Sequence, residues 1–267
     1  MVTLPFTAKR KNRPSPDNMT FGEHLTELRR RVIICVIAFV VAATIAVFAY
    51  EPILHFLLRP LCTVDSSTVH HTSTGGSLII ASNGTCNLFV TSPLDGLSLR
   101  VKIALFGGLV LASPVILFQV WRFVTPGLKA SERRYAVPFV VSAFVLFLLG
   151  AATAYTTLPH ALGWLKSVGG PNLQAIYDPI PYLGLILLMM TIFGLTFEFP
   201  VVLVSLELAR VVSPARLLRS WRWAVIIIVV VAAVFTPSSD PFSMFALAIP
   251  LTLFYFVSIG IGKLLGR

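Results

Sequence analysis

The sequence predicts an all-α membrane protein of six transmembrane helices with both termini on the cytoplasmic side. Three observations carry this. Of 267 residues, 56% are hydrophobic and only 12% charged, about half the charge of a typical soluble domain. Apolar runs of about 20 residues, the length that crosses about 30 Å of hydrocarbon, recur along the chain. The cations are also one-sided. Seven Lys and Arg precede the first run, four lie over residues 122–134 at the junction of runs two and three, four between runs four and five, and two follow the last, 17 of 21 in all. The positive-inside rule places those segments, and so both ends, in the cytoplasm. A net charge of +10 would suit a nucleic-acid binder. Distributed this way it is the ordinary basic inner face of a membrane protein, and it implies no nucleic acid.

Residues 1–18 are basic and Pro-rich without apolar periodicity, a disordered tail ahead of a membrane domain over residues 19–262. Thr20-Phe21-Gly22-Glu23 fits a capping box, with Thr20 as N-cap and Glu23 at N3. A helix therefore starts near Phe21, carries Leu25, Leu28 and Val32 on one face, and runs into span one, Val32–Tyr50. That run lacks a small-residue cleavage site and reads as a retained span, not a signal peptide. The external connection 51–95 divides in two. Pro52–Leu61 is apolar enough to lie on the membrane surface, and Thr63–Asn87 is rich in Ser, Thr and Gly and reads as irregular. Cys62 and Cys86 both fall here, while Cys35 lies inside span one. Two cysteines in one exported loop suggest a disulfide, worth about 3 kcal/mol by loop entropy; the alternative is two unpaired thiols.

Span two is Gly96–Phe123, with Asp95, Arg100 and Lys102 as interface anchors at its external start. Span three is Tyr135–Leu158, and Pro159–Val168 after it suits a short surface helix. Span four is Ile180–Glu207. Spans five, Trp223–Phe235, and six, Phe242–Ile261, are joined by the tight turn Thr236–Pro241, and residues 263–267 form a short cytoplasmic tail. The fifth run has 13 residues, short for a full crossing unless the bilayer thins or the helix is sheltered. Pro114, Pro138, Pro200 and Pro250 interrupt the spans. Each removes a helical hydrogen bond and kinks the rod, and kinked, unequal helices tend towards a curved wall. Trp121, Trp164, Trp221 and Trp223 fall near span ends, as aromatic belts do.

Carboxylates are scarce in this chain, so the few near membrane depth stand out. Glu27 has Glu23 at i−4 and Arg30 and Arg31 at i+3 and i+4. It is either an ordinary helix-surface ion pair worth about 0.2–0.5 kcal/mol, or a receptor for an incoming cation. The second reading requires the neighbouring arginines to turn away. Glu132 lies near the start of span three, where a first-turn carboxylate would be stabilised by the helix dipole alone by about 0.3–1 kcal/mol. Topology puts both acids on the cytoplasmic face, where each could take one guanidinium through a charge-assisted bond worth about 1.5–3 kcal/mol. Glu198 lies inside span four, at a cost of about 2.5–3.5 kcal/mol near a bilayer centre. It either faces a wetted concavity or is bonded by neighbouring helices, including carbonyls released by Pro200. The histidines are scattered and propose no metal site. Catalytic motifs are absent, with no Gly-x-Ser-x-Gly, His-Glu-x-x-His or phosphate-cradling loop, so neither an enzyme nor a cofactor is implied.

Five strings in order resemble the TatC family, the multispanning subunit of the twin-arginine protein translocase. They are His24-Leu25-Thr26-Glu27-Leu28-Arg29-Arg30-Arg31, Ser113-Pro114-Val115-Ile116-Leu117-Phe118-Gln119-Val120-Trp121, Phe123-Val124-Thr125-Pro126-Gly127-Leu128 leading to Glu132-Arg133-Arg134, Phe193-Gly194-Leu195-Thr196-Phe197-Glu198-Phe199-Pro200, and Thr236-Pro237 to Asp240. The resemblance implies a glove-shaped, concave helical bundle in the cell membrane with short last spans. It implies that the protein receives the paired arginines of export signal peptides and associates with itself and with single-span TatA- and TatB-type partners. Folded cargo would then cross on the proton-motive force. Glu27 and Glu132 would hold the two arginines, with Arg29 in the same motif and Phe123 in the loop lining the site. Pro60 matches a family position in the first external loop, and Glu198 the polar residue on the concave side. Met244 departs from the family, which often has Gln there, and the first external loop is long. The competing function, a proton-coupled secondary transporter using Glu198, lacks the internal repeat and the several midplane polar groups expected of one.

Overall fold

In the computed structural model the described residues are 21–64, 79–80, 86–87, 92–124, 136–169, 179–208, 210–237 and 240–264. They form helices α1 (Phe21–Phe48), α2 (Tyr50–Val64), α3 (Asp95–Val124), α4 (Ala136–Gly169), α5 (Pro179–Phe197), α6 (Phe199–Leu208), α7 (Pro214–Arg219), α8 (Trp221–Phe235) and α9 (Pro241–Leu264). Strands β1 (Ile79–Ile80) and β2 (Cys86–Asn87) pair antiparallel, Ile80 opposite Cys86, a short ladder in a segment whose composition reads as irregular. Five helical stretches are long and apolar enough to cross a membrane, and α8 is a shorter apolar helix beside them. The sequence-predicted tail 1–18, the Thr20 cap and residues 265–267 lie outside the described residues.

Three elements differ from the sequence reading. The Pro159–Val168 segment is continuous with span three, because a proline in the later part of a long helix leaves most of the hydrogen-bond ladder intact. Span four breaks instead, at Glu198, between α5 and α6. Pro200 cannot donate to the carbonyl of Thr196, and Glu198 N turns to Leu195 O at 3.2 Å, a tighter bond than the α pattern. Span five begins at Trp221, two residues earlier than its apolar run.

The main core joins α2 to α6, α8 and α9, with Ile103, Leu158, Leu183, Phe193 and Leu247 fully enclosed. Small residues set the closest approaches. A Cβ on Gly108 would lie 2.7 Å from the Ala43 backbone, and one on Gly107 would lie 2.8 Å from Ala46 Cβ, so α1 and α3 nearly touch. This is the small-residue packing expected where lipid provides no hydrophobic drive between helices. A Cβ on Gly150 would lie 2.5 Å from the Phe193 carbonyl oxygen, which fixes the α4–α5 crossing. Away from these seams α1 presents Val32, Val36, Ile37, Val40 and Val41 outward, as a lipid-facing helix does. Met244 is partly buried against the main core.

Candidate functional site

The N-terminal end of α1 carries the first cluster. Glu27 and Arg31 are one turn apart, and the Arg31 guanidinium donates to Glu27 Oε1. The arginine side chain is 11% exposed and the glutamate 25%, so the pair is mostly withdrawn from water. Arg31 belongs to the stripe of Ala42 and Ala46 that α1 turns towards α3, whereas Arg29 and Arg30 are exposed. Of the three consecutive cations, two point away and one neutralises the acid, so the condition for a receptor carboxylate, that the neighbouring arginines turn away, is met by Arg29 and Arg30 and not by Arg31. The pair is incompletely bonded: Glu27 Oε2 and Arg31 Nε are buried and have no hydrogen-bond partner among the described residues. The unengaged oxygen can accept a second guanidinium once the side chain rotates to bring it out of its enclosure.

The antiparallel register set by Ala43 against Gly108 and Ala46 against Gly107, followed to the shared end of both helices, brings Glu27 and Arg31 level with the last turn of α3. That turn holds half-buried Phe123. It also holds Trp121, 6% exposed and stacked on Phe139 of α4 with ring centroids 4.1 Å apart. The belt position expected for Trp121 is thus corrected. Its ring fills a small second core with Val204 and Leu208, which ties α3, α4 and α6 together at this end. Trp221 and Trp223 are exposed as a belt requires. Glu132 lies outside the described residues.

Glu198 occupies the break between α5 and α6, half-buried, with Oε1 enclosed and without a hydrogen-bond partner among the described residues. Neighbouring hydroxyls turn to other acceptors: Ser258 Oγ of α9 reaches Pro200 O at 3.4 Å, and Thr196 Oγ1 donates to Ile192 O at 2.6 Å. A second acid escaped the sequence reading, which took Glu207 only as the end of span four. It is 1% exposed and neither carboxyl oxygen has a hydrogen-bond partner among the described residues. Its carboxyl lies where a Cβ on Gly262 would be, beside the Pro214 ring. The signal was the same one that singles out Glu198: an acid flanked on both sides by large apolar residues inside an apolar run.

Pro60 is buried within α2, and the side chains of Cys62 and Cys86 lie outside the described ones. Asp95 accepts from Ser92 N at 2.7 Å and so caps α3, while Arg100 sits 5.1 Å above the Tyr50 ring. Both are held by local contacts at the start of α3. No group of three or more His, Cys, Asp or Glu that could hold a metal occurs among the described residues.

Comparison with known proteins gives a consistent result. The family described as Sec-independent protein translocase protein (TatC) matches residues 23–250. A protein of that name from Frankia casuarinae is 43% identical over 97% of this chain and 70% of its own length. Another from Aquifex aeolicus is 35% identical over 93% of this chain and 97% of its own length. A crystal structure of a twin arginine translocase receptor, TatC in DDM, superposes with a TM-score of 0.70 at 34% identity, covering 90% of this chain and 99% of that one.

Proposed function

The chain belongs to the TatC family of Sec-independent protein translocase proteins, and from that premise we propose that it is the signal-peptide receptor of a twin-arginine export system. Its termini lie in the cytoplasm, and it docks the paired arginines of folded cargo at the cytoplasmic ends of α1 and span three. Glu27 takes one guanidinium and Glu132 the other, with Arg29 and Phe123 shaping the approach. It does so within a multimeric complex with single-span TatA- and TatB-type subunits, and transport draws on the proton-motive force.

The observation that carries this reading is the state of Glu27. Its carboxylate is held by Arg31 through one oxygen only, at an end where Arg29 and Arg30 face outward. A purely structural helix-surface pair would leave both partners solvated; here the acid keeps an unengaged acceptor beside the last turn of α3. A charge-assisted bond to each arginine would contribute about 1.5–3 kcal/mol, so two acids together discriminate strongly against a cargo that lacks one arginine. The experiment is export of a folded reporter carrying an Arg-Arg signal in cells that have this protein as their sole copy. Export should stop when the gene is deleted and return with the wild-type copy. Undiminished export in the deletion would refute the reading.

A further inference from the structure

Pro60 lies inside α2 and has no N–H, so the carbonyl of Phe56, four residues back, has no donor within the helix. The chain closes such gaps in two ways. At Pro114 the repair is local, for the neighbouring Ser113 hydroxyl donates to Val110 O, the carbonyl that Pro114 leaves unserved, at 2.7 Å. At Pro60 it comes from another helix. The Tyr155 hydroxyl of α4 donates to Phe56 O at 2.8 Å. The Tyr155 ring lies flat on the Phe56 ring, with centroids 4.4 Å apart and planes 7° from parallel. One residue on, Tyr182 of α5 donates to Leu57 O at 3.2 Å, a carbonyl that already belongs to the helical ladder. Leu57 and Leu58 anchor the same turn in the core.

We propose that Tyr155 is a positioning residue for the external cap, its hydroxyl standing in for the amide that Pro60 lacks. The proline opens the Phe56 carbonyl and turns it out of α2; the tyrosine takes it up and locks α2 to α4. A local serine, as at Pro114, would satisfy the carbonyl without joining two helices. The consequence for export rests on the function proposed above; the lock itself does not, and the two are separable by experiment.

The test is a double-substitution cycle on the purified full chain in detergent, read by amide hydrogen exchange across residues 53–64. Tyr155→Phe keeps the ring and its stacking and removes the donor, so exchange in that segment should accelerate on the order of tenfold. Adding Pro60→Ala gives the helix its own amide for the Phe56 carbonyl and should return exchange to within about twofold of wild type. Tyr182→Phe should have a smaller effect, and Pro60→Ala should not rescue it. The lock is overturned if Tyr155→Phe exchanges like wild type, or if the double variant is no better than Tyr155→Phe alone, whatever export does. Export of the folded reporter should fall in Tyr155→Phe and recover in the double variant. A preserved exchange cycle with unchanged export would overturn the role in export.

Discussion

Replacing Gly262 with alanine isolates the seam between α6 and α9. The added Cβ would fall on the Glu207 carboxyl, with Cδ at 2.7 Å, and would lie 2.9 Å from Pro214 Cγ. A carboxyl is the flexible end of its side chain and could swing aside in an open site. Glu207 is 1% exposed, and the Pro214 ring closes the other flank, so relief is only partial. Overpacking of this kind costs about 1–3 kcal/mol, and partial relief places Gly262→Ala in the lower half of that range. Gly260, half a turn earlier on the same helix, is the internal control, since a Cβ there meets nothing within 4 Å. Both substitutions collect the same gain in helix propensity, about 1 kcal/mol, so the difference between them measures the clash alone. Thermal unfolding in detergent should show Gly262→Ala melting several degrees below Gly260→Ala, at about 2–4 °C per kcal/mol. Glu207→Ala should relieve Gly262→Ala, giving a non-additive cycle. Equal melting of the two glycine variants would show that Glu207 does not sit against α9 and would refute the reasoning.

Three further outcomes follow from the same geometry. Gly150→Ala drives a Cβ onto the Phe193 carbonyl oxygen and to 2.9 Å from Gly194 Cα, backbone that cannot step aside, so folded yield should fall further than in Gly262→Ala, while Gly163→Ala, which meets nothing, should be silent. Glu27→Gln strands the withdrawn Arg31 guanidinium at a cost on the order of 3–5 kcal/mol; removing both charges with Arg31→Gln should recover most of the lost melting temperature, and a double variant as unstable as the single would contradict the pairing. Arg210 closes α6 at φ 59, where its amide bonds Glu207 O and that of Val211 bonds Leu206 O, both at 3.0 Å. This terminator favours glycine, so Arg210→Gly should raise stability by up to about 1 kcal/mol in the same melting assay.

The spans were legible because lipid imposes a long apolar run on each, and the cation asymmetry ordered them. What the sequence left open was helix phase and packing. Arg29, Arg30 and Arg31 are consecutive and chemically equal, each 100° further round the helix. Only the seating of Ala43 and Ala46 against Gly108 and Gly107 decides that Arg31 turns inward to Glu27. Trp121 satisfies a belt position by sequence, but the α3–α4 contact with Phe139 buries it. Glu207 was hidden at the edge of a run whose centre drew attention to Glu198. The tyrosines that serve α2 stand 99 and 125 residues from the carbonyls they bond, a separation no local pattern encodes.

The docking claim is tested most directly by the binding of an Arg-Arg signal peptide to the purified protein, measured for wild type and for Glu27→Gln with Arg31→Gln present to keep the helix end neutral. Glu132→Gln is measured beside them, and a Lys-Lys peptide serves as the reference ligand. Wild type should prefer the Arg-Arg peptide, and each acid-to-amide substitution should weaken that binding by about tenfold or more while leaving the weaker Lys-Lys binding nearly unchanged. Arg-Arg binding at wild-type strength in both variants would contradict the account.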